Sequence, residues 1–116
     1  MSILGIGVDV LHLPRIFNLI KRYPSRLHSR ILSAQELLDL PGNHESRLRF
    51  IAVRWAVKEA AYKAFYPHLR PSWKDLTLRK DGPKPKLELK EWAGRIHVSV
   101  SHDGEYVFAS VLVENE

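Results

Sequence analysis

The chain of 116 residues contains no cysteine. Disulfide scaffolds, zinc fingers, iron–sulfur clusters and thiol nucleophiles are therefore excluded together, and the usage fits a reducing compartment. Long apolar runs are also missing, since none approaches the roughly 18 residues that span a bilayer. The opening residues Met1-Ser2-Ile3-Leu4-Gly5 carry neither a charged n-region nor an Arg/Ser-rich leader, so export is not expected. Internal repeats and low-complexity tracts are absent. Acidic residues are sparse, 13 against 18 Lys and Arg, and the net charge of +5 leaves nucleic acid, an anionic membrane and an acidic protein open as partners.

What is present is ordinary globular material: 45% hydrophobic and 27% charged residues, at a length that predicts one domain over residues 1–116. Ile3 to Leu11 reads as a buried strand punctuated by Gly5 and Gly7. Pro14 suits the first turn of a helix whose apolar face is Ile16, Phe17, Leu19 and Ile20, and Pro24 is expected to stop it. Ser33-Ala34-Gln35-Glu36 resembles a capping box opening a short helix that ends near Pro41-Gly42. Pro41 to Ser46 reads as a loop, and a longer helix follows from about Leu48 to Phe65, closed by Pro67. Leu76-Thr77-Leu78 and Leu87-Glu88-Leu89 alternate around a turn at Asp81-Gly82-Pro83. A second hairpin runs from Ile96 to Ser101, turns at Asp103-Gly104 and returns as Tyr106 to Val113. The predicted class is α+β, a mainly antiparallel sheet packed on a long central helix.

Four features carry potential chemistry. Asp9 interrupts an apolar strand, where a carboxylate is costly to bury unless it is paired or binds a metal. It reads either as a strand-end Asp facing solvent or a turn, or as a metal ligand. The stretch Arg54 to Lys63 is apolar around most of its circumference, as a central helix should be. Its polar residues form two stripes at spacing four, Arg54 with Lys58 and Glu59 with Lys63. Each reads as an exposed i,i+4 pattern or, for Glu59 and Lys63, as a carboxylate and an ammonium set to bind a divalent cation and a phosphate side by side. Ser99 to Gly104 places Ser, His and Asp in succession, which cannot form a hydrolase triad because neighbouring strand side chains diverge. It reads as a hairpin tip that can contribute beside other phosphate-binding groups. Finally, no acidic residue lies between Val10 and Gln35, whereas Arg15, Lys21, Arg22, Arg26 and Arg30 do, a one-signed surface suited to an acidic partner.

Together, in this order, these features closely resemble the short holo-[acyl-carrier-protein] synthases, the small 4′-phosphopantetheinyl transferases. The resemblance covers almost the whole chain. It rests on Gly5-Ile6-Gly7-Val8-Asp9-Val10 with Arg15-Ile16, on Arg54-Trp55-Ala56-Val57-Lys58-Glu59-Ala60-Ala61-Tyr62-Lys63-Ala64, on Trp73 to Leu78, and on His97-Val98-Ser99-Val100-Ser101-His102. It implies transfer of phosphopantetheine from coenzyme A to a serine of an apo acyl carrier protein, with Mg²⁺, releasing adenosine 3′,5′-bisphosphate. By resemblance Asp9 and Glu59 hold the metal, and Glu59, Lys63 and His102 are the catalytic candidates. Lys63 contacts the pyrophosphate, while Arg54, Lys58, Ser101 and His102 line the coenzyme site. Arg15, Lys21 and Arg22 dock the acidic carrier protein. The resemblance further implies a homotrimer with sites between subunits, in bacterial cytosol or a mitochondrial matrix, with neither nucleic acid nor membrane as a partner.

Three departures from the family pattern stand out. His12 occupies the position, three after the metal Asp, where the family often has Glu. Tyr66-Pro67-His68 replaces a Gly-Thr-Gly loop, and Gly82-Pro83-Lys84-Pro85 is one residue longer than the usual turn. The general base stays open among a metal-bound water, Glu59, His12 and an acidic residue of the carrier. A rival reading from charge alone is a non-catalytic basic nucleic-acid-binding domain. It lacks a recognised binding signature, and Asp9 with Glu59 would repel phosphates without a metal.

Overall fold

The computed structural model describes residues 2–80 and 82–115. Strand β1 (Ile3–His12) leads into helices α1 (Leu13–Arg22), α2 (Pro24–Ile31) and α3 (Ala34–Asp39), then the long helix α4 (His44–Phe65). A 3-10 turn at Trp73–Asp75 precedes strands β2 (Leu76–Arg79), β3 (Lys86–Leu89), β4 (Ile96–Asp103) and β5 (Tyr106–Glu114). All pairing is antiparallel, in a three-stranded sheet of order β1-β5-β4 and a separate β2-β3 ribbon. The expected α+β class, with antiparallel strands against a central helix, is the class observed.

Several boundaries differ from the sequence reading. Pro24 does not end helical structure; it takes the first position of α2, where its missing N–H costs nothing. Helix α4 begins four residues earlier than expected, because Asn43 accepts a hydrogen bond from the Ser46 N–H at 3.1 Å and so caps it. The capping box opening α3 is present, with Ser33 and Glu36 bonded reciprocally. Of the Asp81-Gly82-Pro83 turn, Asp81 lies outside the described residues. The β4–β5 turn is Gly104-Glu105, and Gly104 sits at φ +58, a conformation most side chains resist.

Helix α4 owes its central place to small residues. Ala52, Ala56, Ala60, Ala61 and Ala64 are all fully buried, as is Phe65, whose ring meets Trp92 edge-on at 5.2 Å. Such a side chain contributes roughly 1.5–3 kcal/mol by burial. Strand β1 lies directly on this alanine face: a Cβ at Gly7 would overlap the Ala60 carbonyl oxygen, and one at Gly5 that of Ala64. These glycines bring strand and helix backbones together at the point where Asp9 follows. The inner sheet face is completed by Val107, Ala109, Val111 and Val113, all buried. The opposite face is bare, apolar along β1 and polar along β4, where His97, Ser99 and Ser101 are exposed. Ile6, Val8, Val10 and Phe108 expose 60%, 55%, 55% and 43% of their surfaces, and register sets Val10 beside Phe108 and Ile6 beside Leu112. Among the described residues no helix is long and apolar enough to cross a membrane.

Candidate active site

The close approach of β1 and α4 delivers Asp9 to the face of α4 that carries Glu59 and Lys63. Lys63 Nζ donates to the Val8 carbonyl at 3.0 Å and lies 3.4 Å from Asp9 Oδ1. Burial pushes the Asp9 carboxyl above its ordinary range, with Lys63 pulling the other way. Glu59 is also pushed up, first by burial and then by the Asp9 charge, with Lys63 again opposing. Two half-buried carboxylates thus face one ammonium, and their mutual repulsion is what a hard cation would relieve. Among the described residues no cluster of three or more His, Cys, Asp or Glu side chains could hold a metal alone. Two carboxylates suit Mg²⁺, which is commonly bound by one or two of them with substrate phosphates completing the shell. The donor set therefore fits the metal implied by the sequence, and Asp9 is neither a solvent-facing strand end nor a turn cap.

Asp9 and Glu59 line a cavity of about 210 Å³ together with His12, Arg15, Ile16 and Trp55. His12 Nε2 is 3.7 Å from Glu105 Oε1, and its ring rests on Tyr106 with centroids 5.1 Å apart. His12 and Arg15 also line an adjoining groove on α1 with Lys21 and Arg22. The three cations assigned to docking thus share one surface that runs into the Asp9–Glu59 cavity. Arg26 and Arg30 belong to α2.

The remaining sequence-predicted residues do not converge on this cavity. Arg54 is five residues from Glu59, about 140° around the helix, and lines a separate groove with Arg49, Arg79, Lys80, Ser46 and one carboxylate, Asp39. That groove shares no residue with the Asp9–Glu59 cavity. Ser101 and His102 point to opposite faces of β4, as successive strand residues must, and both are exposed. Register puts Ser101 opposite Phe108 and His102 opposite Val107.

Lys58 requires a correction. Sequence spacing put it on one stripe with Arg54 and the family resemblance implied a place in the coenzyme site, yet its side chain is completely buried. Its ammonium donates to Ile31 O at 2.6 Å, Glu36 Oε1 at 2.5 Å and Trp73 O at 2.9 Å, so all three protons are used. Burial pushes its pKa down, with Glu36 opposing. No part of it faces a ligand. Sequence reasoning also missed Arg49, Arg79 and Lys80, and saw Glu36 only as a helix cap. Its only local signal was the capping box, because its ion-pair partner lies 22 residues away.

Known proteins share this sequence pattern and this fold. The family model for the 4′-phosphopantetheinyl transferase superfamily matches residues 5–111. The chain is 36% identical over 127 residues to the holo-[acyl-carrier-protein] synthase of Cronobacter sakazakii, covering 99% of this chain and 100% of that relative. Its fold matches the crystal structure of holo-[acyl-carrier-protein] synthase from Neisseria meningitidis with a TM-score of 0.86 at 29% identity, over 98% of this chain and 100% of that one. A Bacillus anthracis holo-(acyl-carrier-protein) synthase in complex with CoA (3′,5′-ADP) matches with a TM-score of 0.82 at 33% identity, over the full length of both chains.

Proposed function

The chain belongs to the 4′-phosphopantetheinyl transferase superfamily and, within it, to the holo-[acyl-carrier-protein] synthases, and on that premise we propose that it moves 4′-phosphopantetheine from coenzyme A to a serine of an apo acyl carrier protein. The serine oxygen forms a bond to the phosphorus bearing pantetheine, the bond from that phosphorus to the bridging pyrophosphate oxygen breaks, and adenosine 3′,5′-bisphosphate leaves. The leaving oxygen keeps the electron pair of the broken bond, and the serine proton passes to water. The observation that carries this reading is the Asp9–Lys63–Glu59 cluster.

Asp9 and Glu59 are the residues that would hold Mg²⁺, which when bound supplies positive charge to the coenzyme A pyrophosphate. Lys63 offers its ammonium to oxygens on which charge develops during transfer. Arg15, Lys21 and Arg22 form the cationic surface for the acidic carrier, and Arg15 guides the serine into the cavity because it lines both. The groove of Arg54, Arg49, Arg79 and Lys80 takes the phosphates of the nucleotide end; Ser101 and His102 line neither the groove nor the cavity, and their place in the coenzyme site rests on the family resemblance alone.

This groove and the Asp9–Glu59 cavity belong to different sides of α4, and in keeping with the family resemblance one coenzyme molecule meets both where two copies of the chain adjoin. The bare sheet face of Ile6, Val8, Val10 and Phe108 is the surface on which copies associate, as a homotrimer in keeping with the family resemblance. The reaction suits a compartment holding coenzyme A and carrier protein, the cytoplasm or a mitochondrial matrix. Incubation with apo carrier, coenzyme A and Mg²⁺ should add the mass of one phosphopantetheine to the carrier. No gain on any of several carriers refutes the transfer, and gain undiminished by a chelator refutes the metal.

A further inference from the structure

The groove on the Arg54 side of α4 is governed by a charge arrangement beneath it. The Glu36 carboxylate is fully buried and accepts from Ser33 N–H at 2.9 Å and Lys58 Nζ at 2.5 Å on one oxygen, and from Leu78 N–H at 2.8 Å on the other. Arg54 Nε stands 3.7 Å from that second oxygen, beyond hydrogen-bond length, and this buried nitrogen has no hydrogen-bond partner. The guanidinium instead stacks 3.5 Å above the Phe50 ring and touches the Leu78 carbonyl at 3.3 Å through Nη2. A buried carboxylate beside an arginine ordinarily closes a bidentate pair. Here Lys58 and the Ser33 N–H fill one Glu36 oxygen and the Leu78 N–H bonds the other, while Arg54 donates through Nη1 and Nη2 to the Phe50 and Leu78 carbonyls.

We propose that Lys58 is a positioning residue for coenzyme binding: by neutralising the buried Glu36 carboxylate and bonding its Oε1 it holds Arg54 at the 3.7 Å separation, short of a closed bidentate pair, so that the guanidinium stays at the edge of the groove, where it binds a phosphate. The proposal rests on the reading that this groove takes coenzyme phosphates. It explains how a lysine in a motif beside the metal ligand serves the coenzyme without touching it. Removing Lys58 alone leaves Glu36 a single cation within reach, Arg54, and the pair closes. Neutralising Glu36 as well removes the attraction and frees Arg54 again.

The test compares Lys58→Met with the double variant Glu36→Gln/Lys58→Met, both checked for folding by circular dichroism. Lys58→Met should raise KM for coenzyme A about tenfold, the worth of one charge-assisted hydrogen bond, with kcat at saturation within about threefold. The double variant should return KM to within about threefold of the unaltered protein. Equal KM values for the two variants, both raised or both unchanged, overturn the proposal. If Lys58→Met does not fold, binding of adenosine 3′,5′-bisphosphate to the double variant decides. Retained affinity that falls about tenfold on adding Arg54→Ala supports the proposal, and affinity already lost in the double variant overturns it. Arg54→Ala with unaltered KM for coenzyme A would show instead that the groove reading has failed, and the proposal with it.

Discussion

Lys63 reaches from α4 to β1, where its ammonium lies 3.4 Å from the Asp9 carboxylate and 3.0 Å from the Val8 carbonyl. It is the one cation that opposes the raised proton affinities of both Asp9 and Glu59. Lys63→Met should therefore push both carboxyls higher still. We expect kcat to fall by about a hundredfold, in line with the loss of one group that stabilises developing charge, and the acidic limb of the pH–rate profile to move upward. An unmoved limb would separate Lys63 from the carboxylates.

The same shifts carry a stability consequence. A carboxyl whose folded pKa is raised binds protons more readily folded than unfolded, so its contribution favours folding at low pH. That contribution is lost as pH rises from the ordinary carboxylate value through the raised one. At neutral pH both ionised groups are then a cost to the metal-free protein. Glu59→Gln should abolish transfer while raising the Tm of the metal-free protein. Saturation with Mg²⁺ should raise the Tm of the unaltered protein, by about 1.4 kcal/mol of stability at ten times Kd, and leave that of Glu59→Gln unmoved. Calorimetry with and without the ion checks both.

Gly7→Ala tests how the site is built. Its Cβ would enter the Ala60 carbonyl, so β1 must lift from α4, at an overpacking cost of about 1–3 kcal/mol. Because Asp9 follows two residues later, on the same face of β1, Mg²⁺ affinity should fall with Tm. A variant that loses stability and keeps its metal affinity would show that Asp9 is not placed by this contact.

Val8→Glu places a charge on the bare sheet face, where the native side chain is 55% exposed. Sedimentation should find a monomer with native circular dichroism and little activity. An intact oligomer would remove this face as the interface.

Strand alternation and helical spacing place Asp9, Glu59 and Lys63 on local faces, and the family resemblance groups them, but the close approach at Gly5 and Gly7 that brings strand and helix together is visible only in the packed fold. Lys58 was misread for an instructive reason. Spacing put it correctly on the Arg54 stripe, but what covers a stripe is decided by distant chain, here Ile31, Glu36 and Trp73. Arg49, Arg79 and Lys80 were missed because only the packing of β2 beside α4 gathers them. Pro24 reads equally as the end of one helix and the first turn of the next, and only the packing of α2 decides between them.

The central claim is that a working site joins the Asp9–Glu59 cavity of one copy to the Arg54 groove of another. Asp9→Asn and Arg54→Ala chains, differently tagged and co-expressed, can be isolated as mixed assemblies carrying both tags. Each variant alone should be nearly inactive, and the mixed assemblies should transfer phosphopantetheine at a substantial fraction of the unaltered rate, since some junctions pair an intact cavity with an intact groove. Mixed assemblies as inactive as their parents would contradict the account and place the whole site within one chain.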